Sequence, residues 1–124
     1  MSHARIEHVN LTVSDLDRSI GLFEKLCGWH VRARDKHTVS GEFAHVGADD
    51  TYLALWSDGE DHSGQQKGKP MNHVGIEVND LKAAERVVVA AGLETFSHGQ
   101  YDPGPRSFYF FDWDGIEFEV VSYE

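Results

Sequence analysis

Hydrophobic and polar residues alternate over residues 6–13, and the apolar members form one face: Val9, Leu11 and Val13. This period of two is typical of a β-strand with one buried face, and it leaves His8 on the opposite face. Apolar residues then return every three or four positions over residues 16–27, which predicts an amphipathic helix.

The same pattern occurs a second time. Residues 6–16 align with residues 71–81 at an offset of 65, with His, Val, Val, Asp and Leu at matching positions. Each copy continues into a helical stripe that ends at a glycine, Gly28 in the first copy and Gly92 in the second. An internal match that keeps phase with the secondary-structure pattern indicates a duplicated unit.

Local residues also predict where the two helices begin and end. Ser14 or Asp15 suits the N-cap of the first helix and Asp80 that of the second, because a short polar side chain can accept from a free backbone N–H. Gly28 and Gly92 suit the position after the last helical residue.

Three candidate strands follow each helix. They lie near residues 29–34, 42–46 and 52–56 in the first copy and near residues 94–97, 107–111 and 117–121 in the second. The unit is therefore β-α-β-β-β, used twice: a first module over residues 1–57, a polar, glycine-rich linker over residues 58–70 and a second module over residues 71–124. The predicted class is α+β, with two βαβββ modules in tandem forming a cupped, partly closed mixed sheet with the helices outside.

The polar strand faces carry a candidate metal site. His8 and His73 occupy equivalent positions in the two copies, and Glu119 looks away from the apolar face that Phe118 and Val120 form in the last strand. Two imidazoles and one carboxylate are the ligand set of an open divalent-metal site. His8, His73 and Glu119 are therefore the candidate ligands, and the set suits Mn²⁺, Fe²⁺, Ni²⁺ or Zn²⁺.

A substrate pocket is predicted beside this site. The offset of 65 sets Ala54 against Glu119, so a methyl group stands where a second carboxylate could have been. Tyr52 and Trp56 flank Ala54 and suit an apolar or aromatic substrate.

Further candidates complete the pocket. His45, which the same offset aligns with Phe110, and Arg106 could contact the substrate. Residues 99–105 are rich in turn formers and predict a lid. With Ala54 at the fourth position, the general base stays open between Glu117, His45, Tyr52 and metal-bound hydroxide.

Composition narrows the class of partner. The chain has 124 residues, of which 40% are hydrophobic and 26% charged, as is ordinary for a soluble domain. The net charge of −10 argues against nucleic acid and anionic membranes as partners. The single cysteine, Cys27, excludes an internal disulfide, and no apolar run is long enough for a membrane span. We therefore expect a reduced, cytoplasmic protein with a small-molecule substrate.

A family resemblance can now be stated. The segment His8–Leu16, the repeat and the turn Asp112-Trp113-Asp114-Gly115 before the last strand resemble the vicinal oxygen chelate superfamily, although Trp113 stands where the family has proline. This superfamily includes glyoxalase I, bleomycin-resistance proteins, fosfomycin-resistance transferases and extradiol dioxygenases. The resemblance implies paired βαβββ modules, a homodimer, and metal-ligand positions at His8, His73 and Glu119.

The resemblance leaves several activities open. Glyoxalase I uses a glutamate at the position of Ala54, so isomerisation of a glutathione hemithioacetal fits less well than a dioxygenase-like or thiol-transferase-like reaction with two histidines and one glutamate. This favours a metal-dependent lyase, transferase or dioxygenase. One alternative is a metal-free protein of the bleomycin-resistance type, which sequesters a cationic small molecule in an acidic groove lined by Tyr52 and Trp56. Another is a non-catalytic oligomerisation or regulatory module.

Overall fold

The computed structural model describes residues 5–37, 41–66, 68, 71–101 and 104–124. The chain divides into two compact units, Met1–His62 and Ser63–Glu124. Each unit contains one four-stranded mixed sheet and one helix in the order β-α-β-β-β, which confirms the predicted α+β class and the two βαβββ modules. Among the described residues, no helix is long and apolar enough to cross a membrane.

The first unit pairs its first strand with its last. Its elements are β1 (His8–Thr12), α1 (Leu16–Cys27), β2 (His30–His37), β3 (Gly41–Gly47) and β4 (Tyr52–Ser57). The sheet order is β1-β4-β3-β2; β1 runs parallel to β4, and the other two pairs are antiparallel. The helical connection makes the parallel pairing of β1 possible, since parallel strands need a long crossover.

The second unit has the same topology. Its elements are β5 (Val74–Glu77), α2 (Leu81–Ala90), β6 (Thr95–Gln100), β7 (Arg106–Phe111) and β8 (Glu117–Ser122). The sheet order is β5-β8-β7-β6, again with one parallel and two antiparallel pairs. The repeated topology is the structural counterpart of the repeat in the sequence.

Both helices begin at an aspartate, as the sequence predicts. The Asp15 carboxylate accepts from the Arg18 backbone N–H at 3.0 Å, and the Asp80 carboxylate accepts from that of Ala83 at 3.0 Å. Each contact satisfies a backbone donor that has no partner within the helix. Gly28 follows α1 with a left-handed φ of 66°, which confirms its predicted position after the helix.

The helix-facing sides of the sheets form the core. In the first unit, the buried residues of β1, β3 and β4 include Leu11, Ala44, Val46, Leu53 and Leu55. In the second, α2 contacts β7 and β8, whose buried residues on this side are Phe108, Phe110, Phe118 and Val120. Because side chains alternate along a strand, the residues between these point away from the helices, and they include Glu119.

A tight turn sets the start of β8. The Asp112 carboxylate accepts from the backbone N–H groups of Asp114 and Ile116 at 3.0 and 2.9 Å, and Gly115 takes a left-handed φ of 87°. Asp112 and Asp114 are both buried, which excludes water as a replacement acceptor. The turn therefore fixes the direction in which β8 leaves it.

Two glycines should respond to alanine in opposite ways. A Cβ at Gly47 would overlap the Thr51 carbonyl oxygen and the Tyr52 Cβ, whereas a Cβ at Gly21, inside α1, meets nothing within 4 Å. We expect Gly47→Ala to lower the free energy of unfolding by about 2 kcal/mol or more. Gly21→Ala should raise it by about 0.5–1 kcal/mol, because alanine favours the helix. Urea denaturation followed by circular dichroism measures both values, and equal effects would contradict the β3–β4 packing.

Asp112→Ala should destabilise the protein by about 1–3 kcal/mol, because two buried backbone donors lose their acceptor. Asp112→Asn keeps the side-chain carbonyl oxygen and should cost less. The same denaturation experiment measures both, with Asp49→Ala at an exposed position as control. A loss no larger for Asp112→Ala than for the control would show that the turn does not depend on this carboxylate.

Candidate active site

Two predicted ligands meet in the second unit. His73 lies directly before β5, and the parallel register sets Gly75 beside Glu119 in β8. The His73 Nε2 atom is 3.1 Å from the Glu119 Oε1 atom. The side chains of His73 and Glu119 are 32% and 19% exposed, so both are accessible to a ligand.

The geometry of this pair fits a divalent cation. Two ligand atoms that each lie about 2.1 Å from one ion are about 3.0–3.4 Å apart in octahedral or tetrahedral coordination. The separation of 3.1 Å between His73 and Glu119 falls in this range and is also that of a hydrogen bond, so the pair is compatible both with a direct hydrogen bond and with a shared ion. Nitrogen of imidazole and oxygen of carboxylate are also ligands that Mn²⁺, Fe²⁺ and Zn²⁺ accept.

A second carboxylate lies on the other side of the imidazole. Glu117 is 2% exposed, and its Oε2 atom is 3.7 Å from His73 Nδ1. It therefore approaches the ring nitrogen that does not face Glu119. Among the residues that the structure describes, no three His, Cys, Asp or Glu side chains are grouped so that they could hold a metal ion.

Tyr109 joins the pair through Glu119. It lies directly opposite Glu119 in the β7–β8 register, and its ring meets the His73 ring edge-on, with centroids 5.6 Å apart. Burial raises the pKa of Tyr109, and the negative charge and hydrogen bond of Glu119 raise it further. The protonated phenol is therefore favoured, and its O–H donates a hydrogen bond to Glu119. The sequence analysis missed this residue, whose only signal is its place opposite Glu119 once β7 and β8 are paired.

The register corrects one equivalence between the two copies. His45 lies opposite Ala54 in the first unit, as Tyr109 lies opposite Glu119 in the second. His45 therefore corresponds to Tyr109, and the predicted match with Phe110 is wrong. The reason is a difference of one residue in the turns: residues 48–51 connect β3 to β4, whereas residues 112–116 connect β7 to β8.

In the first unit, three side chains surround Tyr52, and we call them together with it the Tyr52 cluster: His8, Arg32, His45 and Tyr52. His8 is paired with Tyr52 across β1 and β4, and their rings stack with centroids 5.0 Å apart. The His45 ring stacks on Tyr52 at 4.6 Å, and the Arg32 guanidinium carbon lies 4.4 Å from the Tyr52 ring centre. The cluster brings together three predicted site residues and adds Arg32, which the sequence analysis missed.

Charge distinguishes the groups of the Tyr52 cluster. Burial lowers the pKa of His45, and the neighbouring basic groups of His8 and Arg32 lower it further against the opposing Glu7 carboxylate, so the neutral imidazole is favoured. A neighbouring carboxylate, Glu7, contacts His8 Nδ1 at 3.0 Å and accepts from the Tyr52 hydroxyl at 3.4 Å. The hydrogen bond from His8 is the main reason why the pKa of Glu7 is lowered.

Other predicted site residues have defined places. Ala54 is 5% exposed and lies between Asn10 and His45. Trp56 shares a face of β4 with Tyr52 and Ala54, because these residues alternate along the strand. The flanking of Ala54 by two aromatic side chains is therefore present in the first unit.

Arg106 and the predicted lid are not placed beside Glu119 by the strand pairing of the second unit. Arg106 lies opposite Ser122, on the face of β7 that carries Phe108, whereas Tyr109 is on the other face. Within the second unit, Arg106 therefore does not share a strand face with Glu119, and its contact with substrate stays a prediction. Of the predicted lid over residues 99–105, the first two residues belong to β6, and residues 102 and 103 lie outside the described residues.

The chain belongs to the Glyoxalase/Bleomycin resistance protein/Dioxygenase superfamily, whose family model matches residues 5–120. Among solved structures, a glyoxylase/bleomycin resistance protein/dioxygenase domain from Frankia sp. EAN1pec is 24% identical, with 98% of each chain covered and a TM-score of 0.81. A comparison with curated proteins found no match.

Two fosfomycin resistance proteins have the same fold. FosX from Listeria monocytogenes, solved in complex with Mn(II) and sulfate, is 17% identical, with 98% of this chain and 93% of that chain covered and a TM-score of 0.76. FosX from Mesorhizobium loti is 21% identical, with 97% and 92% covered and a TM-score of 0.75. Likenesses at these identities establish the fold.

The contact between Glu119 and Tyr109 predicts that a substitution at Glu119 changes the pKa of Tyr109. Glu119→Gln removes a negative charge beside the phenol, so the pKa of Tyr109 should fall towards its ordinary value of about 10. Ultraviolet absorbance of tyrosinate as a function of pH measures this shift, and a Tyr109→Phe variant identifies the Tyr109 component. Glu94→Gln, at an exposed position of the same unit, is the matched control. An unchanged Tyr109 titration in Glu119→Gln would show that the two side chains do not interact in solution.

Proposed function

We propose that this protein is a divalent-metal-dependent enzyme that acts on a small molecule bound to the metal through oxygen atoms. The observation that carries the proposal is the pair of His73 Nε2 and Glu119 Oε1, which lie 3.1 Å apart on accessible side chains. Superfamily membership supports it, as does the Mn(II) complex of the FosX protein from Listeria monocytogenes.

The proposed ligands are His8, His73 and Glu119. His8 is the repeat counterpart of His73, and its imidazole is 44% exposed, so the ring is accessible. A bound divalent ion would polarise the substrate oxygens as a Lewis acid. Mn²⁺, Fe²⁺, Ni²⁺ and Zn²⁺ all accept two histidines and one carboxylate, and the FosX complex makes Mn²⁺ the first ion to test.

The residues around the ligands favour a reaction of the dioxygenase or thiol-transferase kind over glyoxalase I chemistry. A buried methyl group at Ala54 can neither bind a metal nor take a proton. Tyr52 and Trp56 offer aromatic surface to the substrate, and a neutral His45 could accept a proton. Arg106 completes the proposed pocket as a candidate for binding an anionic group.

A second candidate function is metal-free binding of a cationic small molecule, as in bleomycin-resistance proteins. Trp56 offers aromatic surface to such a ligand, whereas the Tyr52 ring is already covered by the Arg32 guanidinium. The net charge of −10 favours the same ligand class. Binding of this kind would not need the His73–Glu119 pair.

The proposal includes a homodimer in the reducing environment of the cytoplasm. The dimer is inferred from the family. The compartment is inferred from the single cysteine, and burial raises the pKa of the Cys27 thiol to about 12, which keeps it in the unreactive thiol form.

Metal content tests the proposed site. Protein purified without a metal-chelating tag and then equilibrated with Mn²⁺, Fe²⁺, Ni²⁺ or Zn²⁺ should hold about one equivalent per chain by elemental analysis. His73→Ala and Glu119→Gln should each reduce this to about a tenth or less, and His8→Ala should do the same. Circular dichroism should show that each variant keeps the native fold.

His30→Ala is the matched control, because His30 is exposed at the start of β2 and belongs to no proposed ligand set. It should keep the full metal content. Full metal content in His73→Ala would contradict the proposed ligands. Failure of the native protein to bind any of the four ions would refute the enzyme proposal, and calorimetry with a cationic glycopeptide such as bleomycin would then test the second candidate.

A further inference from the structure

Each candidate histidine ligand follows a residue whose side-chain oxygen contacts its Nδ1 atom. Glu7 Oε1 lies 3.0 Å from His8 Nδ1, and Asn72 Oδ1 lies 2.8 Å from His73 Nδ1. Glu7 and Asn72 are themselves 65 residues apart, like the two histidines. The same contact is therefore made twice, at equivalent positions in the two units, by two different residue types that share only an acceptor oxygen.

An acceptor at one ring nitrogen determines the chemistry of the other. An imidazole that binds a metal has one nitrogen with a lone pair for the ion, and the second nitrogen carries a proton. A carboxylate or carbonyl oxygen beside Nδ1 can only accept, so it favours the proton at that atom. Nε2 is then left as the nitrogen that can bind an ion.

In the second unit, Nε2 is the ring nitrogen that faces the other candidate metal ligand. His73 Nε2, and not Nδ1, is the ring atom 3.1 Å from Glu119, the other candidate ligand in that unit. Asn72 therefore contacts the side of the ring that faces away from the candidate ion position. Without an ion, the Glu119 carboxylate is an acceptor for a proton on Nε2, so it competes with Asn72 for the ring proton of His73. In the first unit the Tyr52 hydroxyl donates to the same Glu7 oxygen that contacts His8, which helps to fix that oxygen.

We propose that Glu7 and Asn72 are positioning residues that hold a proton on Nδ1 of His8 and His73 and so present Nε2 as the ligating nitrogen. The role of Nε2 as a metal ligand rests on the proposed function. The location of the Nδ1 protons, however, is a property of the metal-free protein, so the two proposals can fail separately.

The first experiment locates the protons. Long-range ¹⁵N–¹H NMR spectra of the metal-free full-length protein at about pH 8.5, where an ordinary imidazole is neutral, distinguish protonated from unprotonated ring nitrogens. We expect a protonated Nδ1 in His8, and also in His73 once Glu119→Ala removes the competing acceptor at Nε2. The two rings are assigned through the His8→Ala and His73→Ala spectra. Glu7→Ala should shift the His8 proton towards Nε2, and Asn72→Ala combined with Glu119→Ala should do so for His73.

Conservative variants separate positioning from a loss of structure. Glu7→Gln and Asn72→Asp keep an acceptor oxygen and should keep the proton on Nδ1. Glu24→Ala and Asn79→Ala remove the same side-chain types at exposed positions and should leave both histidine spectra unchanged. The proposal would be overturned by an unprotonated Nδ1 in His8 of the native protein or in His73 of Glu119→Ala. It would also be overturned by a protonated Nδ1 that persists in Glu7→Ala for His8, and in Asn72→Ala combined with Glu119→Ala for His73.

The second experiment measures binding of Mn²⁺ and Zn²⁺ by isothermal titration calorimetry. Glu7→Ala and Asn72→Ala should each weaken binding by about 10- to 100-fold, the usual cost of losing a hydrogen bond to a metal-binding histidine. Glu7→Gln and Asn72→Asp should stay within about threefold of the native affinity. Unchanged affinity in both alanine variants would refute the role in ligation. Absence of binding by the native protein would refute the proposed metal site, and the NMR result would still decide where the Nδ1 protons lie.

Discussion

The parallel pairing of the first and last strands in each unit determines where the chemistry lies. Because β1 runs beside β4 and β5 beside β8, the histidine at the start of each unit lies beside residues near its end. The separation in sequence is more than forty residues, yet His8 stacks on Tyr52 and His73 contacts Glu119. A helix must cross between the paired strands, so the caps and the buried stripe of that helix are needed for the contacts on the opposite face of the sheet.

The same pairing gives the two units different surfaces. His8 lies beside Tyr52, whereas the position equivalent to Tyr52 in the second unit is Glu117. The central position of the last strand is Ala54 in one unit and Glu119 in the other. One sheet therefore has an aromatic surface with basic side chains around its histidine, and the other has a carboxylate-rich surface. A duplicated fold has kept its hydrogen-bonding pattern while its two polar faces have become chemically distinct.

Properties that depend on local periodicity could be predicted from the sequence, whereas those that depend on register could not. The strands, the helices, their aspartate caps and the faces of His73 and Glu119 follow from patterns within about ten residues of each other. Tyr109 was missed because its relation to Glu119 exists only across the β7–β8 pair. Arg32 was missed for a similar reason, since it reaches Tyr52 from β2, which has a register shift between Val31 and Ala33.

The difference of one residue between the turns at 48–51 and 112–116 has an evolutionary consequence. A residue gained or lost within a strand would move every later side chain to the opposite face and expose the core. In a turn, the same change leaves both flanking strands in register with their partners. A change of length is therefore tolerated more readily in a connection than inside a strand, and residues exchanged between the halves by counting along the sequence would face the wrong side of the third strand.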